Sequence, residues 1–449
     1  MIAGSDFMTR LRFLIVLCAT VLATSVGPLR AQSLDDLMAQ SLGGIFARTI
    51  DNSLRQWLEQ TTGLGAATGS IGSVTTRASD GALLIDGLSL SAPGLELTVD
   101  IKSAVLEKPR RRDGGYVVEA DNVTLDDVTI RQGRTEFAMD RILLQKAALP
   151  RLSITRLSSN IDQLDKFERQ RRFLAELFAL QAGQISIPTL FVRTYSSKNT
   201  AELISESVYR DNAMEGLANR TIAQWRFASI RSLSPPVEPL LRESFQGAKI
   251  DNLGIDAVLT LLDPQTDFAS ARTLLGQFSA RNYAVSLAGL TVSIDAIRLA
   301  DFTINPLDAA VKETLIRVVS GQNGIDGIPN AEVPPFLLNM AAAFSLGNLE
   351  LQGLRVEALG IDDFTLDTMK LSESSLKGFD GFELRGFRAG LTDVGRVDFT
   401  EASLKSVMFP DTQVLLNKLA GEPVPLAALV PKLAAASLSG FAADVPEMS

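Results

Sequence analysis

Between residues 34 and 58 apolar side chains recur at intervals of three and four, from Leu34, Leu37 and Met38 through Phe46 and Ile50 to Trp57 and Leu58. That is the period of a helix with one apolar stripe, interrupted by Gly43-Gly44. Such a stripe packs on a core or docks a partner. Residues 63–73 are rich in Gly, Ala, Thr and Ser and read as a linker. The period then falls to two. Leu88 and Leu90, then Leu95 to Ile101, then Tyr116 to Ile130 and Phe137 to Leu144 alternate with polar residues, which predicts antiparallel strands.

Helical spacing returns over 161–181 and again over 201–218. Between them Ile185 to Tyr195 reads as a strand. Ser234-Pro235-Pro236 marks a boundary before a short helix ending at Gly247. Beyond it the pattern predicts a strand over 249–262, a helix over 266–278, strands over 283–304, and helices over 307–319 and 333–345 separated by a turn at 321–330. Residues 346–407 predict four strands. The last forty residues predict two short helices divided by Pro423 and Pro425, then an apolar piece from Leu438 to Phe441.

These readings give an α+β class of antiparallel β-meander sheets with intervening amphipathic helices, duplicated or elongated. The expected divisions are a helix over 32–62, a β-meander unit over 74–150, a mainly helical insertion over 151–247, a mixed α/β unit over 248–345, and a β-meander unit over 346–449 that ends in short helices.

The amino terminus carries an address. A short basic segment after Met8 precedes fourteen mostly apolar residues, Phe13 to Val26, and then Gly27-Pro28. This run is shorter than the ~20 residues a membrane-crossing helix needs. Residues 1–31 therefore read as a signal peptide cleaved after Ala31. Left uncleaved, the segment would anchor the chain in the inner membrane, facing the periplasm.

Composition narrows the chemistry. Hydrophobic residues are 46% and charged residues 21%, as in a packed globular protein, and the net charge of −9 argues against nucleic acid. The chain has no histidine, and Cys18 is its only cysteine. The usual general base, zinc ligand and thiol nucleophile are thus missing. No catalytic residue, metal site or cofactor is assigned. Ser374-Ser375-Leu376-Lys377 has the Ser-x-x-Lys spelling of some acyl-transfer enzymes, but in a β neighbourhood and without companion motifs. Adjacent carboxylates at Asp35-Asp36, Asp126-Asp127 and Asp362-Asp363 read as turn or strand-end residues, because neighbours on a strand point to opposite faces. Asn323 to Gly327 is too sparse for a calcium loop. The basic cluster Lys108, Arg110, Arg111 and Arg112 is open to two readings, contact with anionic lipid headgroups or a hairpin tip kept wet by its charge.

Two short patterns recur. One is Gly, a large apolar residue, any residue, then Leu or Val, at Gly87, Gly289, Gly353 and Gly381. The other is Asp, Phe or Val, Thr, at Asp127, Asp301, Asp363 and Asp398. They read as a repeated hairpin whose Phe or Val enters the core. With the export segment and the acidic, histidine-free composition, these hairpins over 285–405 and 80–147 resemble AsmA-like envelope proteins of Gram-negative bacteria. The resemblance implies an apolar β-groove that handles lipid between membranes. The expected function is an exported, non-enzymatic periplasmic protein that binds lipid. The alternatives are an adaptor docking envelope proteins through helix 34–58 and strand edges, and a hydrolase working without histidine.

Overall fold

The computed structural model describes residues 68–92, 96–109, 116–150, 171, 175, 180–196, 202–236, 240–263, 270–320, 328–329, 332–392, 394–419 and 421–444. The expected signal segment, the expected helix 34–58 and Arg110 to Arg112 lie outside them. So does all of 161–181 except Arg171 and Ala175, which are helical, and Leu180 and Gln181.

The α+β expectation is overturned. The described residues form seventeen strands of one antiparallel sheet and only five helices. They group into two compact units, the described parts of Met1–Ala228 with Ser234–Val237, and of Ser229–Leu233 with Glu238–Ser449.

The N-terminal unit is a meander of β1 (Thr68–Thr76), β2 (Leu83–Ala92), β3 (Leu97–Glu107), β4 (Tyr116–Gln132), β5 (Thr135–Pro150), β6 (Ala182–Tyr195) and β7 (Leu203–Ala218), each paired with the next. Strand β8 (Thr221–Ser234) follows β7 after a two-residue turn, with Arg226 bridging to Glu215 at 2.9 Å. In the C-terminal unit β9 (Leu241–Gly254), β10 (Arg272–Leu287), β11 (Leu290–Ile304), β12 (Phe344–Glu357), β13 (Ile361–Ser375), β14 (Gly378–Leu391) and β15 (Gly395–Met408) pair in sequence, and β16 (Lys432–Ser439) and β17 (Ala442–Asp444) both pair with β15. Its helices are α1 (Ile255–Leu261), α2 (Ala309–Ser320), α3 (Val333–Ala343), α4 (Thr412–Leu419) and α5 (Leu426–Leu429). All five sit in connections at one end of the strands. The connections at the other end, around Ala288, Gly360 and Thr392, are tight turns. At the helical end Ala257, Leu274, Ile304 and Ala343 form a small core, with Phe302 stacked on Phe344 at 5.4 Å.

The strands are long, and most carry a residue in the left-handed region within them: Gly87, Asp127, Lys146, Asp211, Asn282, Asp301, Gly353, Glu373, Gly386 and Ser406 among others. At such a residue, and at the residue facing it on the next strand, two successive side chains point outward and the inward phase shifts by one. In β3 the buried side chains are Leu97, Val99 and Ile101, then Ala104 and Leu106. In β4 they are Val123 and Leu125, then Val128 and Ile130. The reversals fall in register across neighbouring strands, Gly72, Gly87, Lys102, Asp127 and Asp140 forming one transverse crease.

These creases explain the misread segments. Residues 203–218 of the expected helix 201–218 are β7, where buried Tyr209, Asn212, Met214 and Leu217 stand three, two and three apart across creases at Asp211 and Gly216. Residues 272–278 of the expected helix 266–278 begin β10. There the inward Leu275 and Phe278 are three apart because Gly276 lies on a crease. A twice-creased strand imitates the spacing of a helix. The short helix expected to end at Gly247 is instead part of β9. The end of the expected linker 63–73 belongs to β1, where the glycine is dictated by space: a Cβ on Gly72 would lie 2.6 Å from the Asp86 carbonyl oxygen. The strands expected over 346–407 and the helices at 307–319 and 333–345 are present as β12 to β15, α2 and α3.

The inward face of the N-terminal unit is sealed, with Leu83, Ile101, Leu125, Ile130, Phe137 and Ile142 all buried. The polar side chain of Asn212 faces the same way. Asn212, 1% exposed, donates a long 3.4 Å hydrogen bond from Nδ2 to the Ile187 carbonyl, and no described protein group donates to its Oδ1. An apolar side chain of the same shape removes that desolvation penalty, so Asn212→Leu raises stability by about 1 kcal/mol in chemical denaturation. A loss of stability would show that the amide has a favourable role in the folded unit.

Candidate functional site

The C-terminal unit repeats the crease twice per strand. One line runs through Asn282, Asp295, Gly353, Asp367, Gly386, Thr400 and Gly440. The other runs through Gly276, Asp301, Gly347, Glu373, Asp380, Ser406 and Ala434. The glycines are required locally. A Cβ on Gly353 would fall on the Asp295 carboxylate, and one on Gly386 on that of Asp367. Asp295 is held there by Arg355, whose two terminal nitrogens donate to its two oxygens at 2.9 and 3.1 Å and so raise the guanidinium pKa further.

Between and beyond the creases the inward face carries three apolar bands. The middle band pairs Ile297 with Leu351 and Leu299 with Leu349, then Leu351 with Met369, Leu349 with Leu371, and Leu371 with Phe382. The band toward the tight turns aligns Ile294 with Leu354 and Leu366, and adds Phe364, Phe387 and Phe399. Phe387 stacks on Phe399 at 4.7 Å and meets Phe364 edge-on at 5.6 Å. The band toward the helices holds Phe302, Leu346, Phe379 and Val407, with Phe379 edge-on to Phe409. The outward face is polar. Glu350 accepts from Gln352 at 2.9 Å and lies near Arg298 and Lys370, and these partners, Gln352 foremost, hold its carboxyl below the usual range.

The two units differ in how this inward face is covered. In the N-terminal unit it is buried. In the C-terminal unit Leu349, Leu351, Met369, Leu371, Phe382, Leu384 and Leu404 remain half-buried, and exposure grows toward the last strands, where Leu438 is 57% and Phe441 59% exposed. The result is a broad apolar surface with solvent access, ruled by two polar lines. Surfaces of this size and chemistry bind apolar ligands or partners.

The residues singled out from sequence fare differently. Lys108 follows β3 in a left-handed conformation, its Nζ 3.3 Å from Asp121; Arg110, Arg111 and Arg112 lie outside the described residues. Asp126 and Asp127, expected on opposite faces, both point outward because Asp127 is left-handed. Asp126 accepts from Arg141 at 2.6 Å and Asp127 from Lys102 at 2.8 Å, as structural ion pairs. Asp362 accepts from the Thr392 hydroxyl at 2.6 Å in a turn. Asp35-Asp36 and Asn323 to Gly327 are outside the described residues. Ser375 and Lys377 form a hairpin turn in which the Ser375 Oγ accepts the Lys377 backbone N–H, and Ser374 lies across from Leu346. Of the recurring patterns, Gly87, Gly353, Asp127 and Asp301 are crease residues, whereas Gly289 is in a tight turn and Gly381 and Asp363 lie elsewhere on strands. Phe302 and Phe364 share the inward face.

Among the described residues no group of His, Cys, Asp or Glu has the arrangement to hold a metal, and no helix is long and apolar enough to cross a membrane. Compared with protein-family models and with curated proteins, the chain matches none.

Proposed function

We propose that this protein is a non-enzymatic lipid-handling protein of the Gram-negative envelope, exported to the periplasm, and that the half-buried bands of the C-terminal unit receive acyl chains. The observation that carries this reading is the solvent-accessible apolar face spanning β11 to β15. Acyl chains suit it because it offers apolar area along its whole width and few polar groups to orient a compact polar ligand. The resemblance of the hairpins to AsmA-like proteins and the apolar run after Met8 point the same way. The absence of histidine from the sequence supports binding over bond-making.

The test is transfer of a fluorescent phospholipid from phosphatidylethanolamine/phosphatidylglycerol vesicles to the purified chain, alongside mass spectrometry of its organic extract. The native chain takes up phospholipid. Leu351→Gln with Met369→Gln keeps the circular dichroism of the native fold and weakens uptake about thirtyfold, taking about 1 kcal/mol per removed apolar side chain. A native chain that carries and takes up no lipid, or a folded double variant that binds as well, would overturn the reading.

A further inference from the structure

Strands β16 and β17 form one edge, Lys432 to Asp444, and both pair with β15 on one side. Between its terminal charges, Lys432 and Asp444, the edge has neither charge nor proline, the usual devices that stop another strand from adding. Its inward side chains, Leu433, Leu438 and Phe441, are 47%, 57% and 59% exposed. Another strand fits here, and the creases restrict which one.

From β10 to β16 every crease position obeys one rule: a left-handed residue faces a residue that is not left-handed on the next strand. Asn282 faces Asp295, Gly353 faces Asp295 and Asp367, Gly386 faces Asp367 and Thr400, and Gly440 faces Thr400. On the other line Asp301 faces Gly276 and Gly347, Glu373 faces Gly347 and Asp380, and Ser406 faces Asp380 and Ala434. The open edge presents left-handed Gly440 and, six residues earlier, Ala434, which is not left-handed. An incoming antiparallel strand must offer the opposite states at the same separation.

A second copy of this edge does so. We propose that two copies of the chain pair antiparallel through β16 and β17 about a two-fold axis at Ser437. That register sets Gly440 of one copy against Ala434 of the other, Leu433 against Phe441, and Leu438 against Ala436, so the creases and apolar bands run on across the junction. It also places Lys432 of one copy diagonal to Asp444 of its partner on the outward face, within reach of an ion pair. The inference rests on the edge geometry and not on the lipid reading.

The experiment uses the full chain with Cys18→Ser. Ser437 sits at the axis, so its Cβ atoms come about 5 Å apart across the pair, whereas those of Ala435 lie about 13 Å apart. Under mild oxidation Ser437→Cys gives disulfide-linked dimers and Ala435→Cys does not. Native mass spectrometry of the unmodified chain shows twice the chain mass, and Leu438→Lys, which sets a charge in the inward band of the edge, shifts it to one chain with unchanged circular dichroism. A monomeric native chain, equal cross-linking at both positions, or no cross-link at Ser437→Cys would overturn the proposal.

Discussion

Gly353→Ala lowers the stability of the C-terminal unit by about 2–3 kcal/mol, read by hydrogen exchange in peptides from β11 to β13. Two costs combine. Gly353 has φ +65, which penalises any residue with a Cβ, and the new methyl falls on the Asp295 carboxylate. To make room Asp295 must leave its doubly bonded position on Arg355. The costs separate in a double-mutant cycle, since Asp295→Ala removes the collision and leaves the backbone strain. Gly353→Ala is therefore about 1 kcal/mol milder in the Asp295→Ala background. Equal effects in both backgrounds would mean that Asp295 moves aside freely, and the crease would then be a backbone feature alone.

The second large effect belongs to the other unit. Phe137 is fully buried in β5, with Ile130 opposite on β4 and Val192 opposite on β6. Deleting its ring leaves a cavity among side chains fixed by strand pairing on both sides. Phe137→Ala therefore costs about 3–5 kcal/mol, measured as exchange protection lost in peptides from β3 to β6. Phe364→Ala, on the half-buried face of the C-terminal unit, costs less because solvent already reaches that site. If the two phenylalanines proved equally costly, the contrast between a sealed and an accessible inward face would be wrong.

What could be read from the sequence follows the creases closely. Where a strand's apolar residues alternate for four or five positions without interruption, as from Leu97 to Ile101, the period of two is visible and the strand is assigned. Where a crease comes every few residues, as in β7, inward positions fall three and two apart and read as helix. Asp and Asn at such points were legible only as turn formers. That chemistry is right, because both tolerate the left-handed region, but the turn lies within a strand and not at its end. The adjacent carboxylates Asp126-Asp127 mark a crease, whereas Asp362-Asp363 do not. The apolar bands escaped for a different reason. Their members are scattered singly among polar residues along each strand and become contiguous only through strand register. The true helices α2 and α3 were legible because continuous helical spacing is broken there by neither glycine nor aspartate.

The crease rule has a consequence for how such a sheet could change size. On the two crease lines each strand from β10 to β15 holds one left-handed residue, and the line that carries it switches from each strand to the next. Removing one interior strand would bring like states together on both lines. Removing a hairpin, such as β13 with β14, would leave Gly353 against Thr400 and Gly347 against Ser406, both permitted. Width in this architecture is quantised, and insertion or excision conserves the lattice only in even steps.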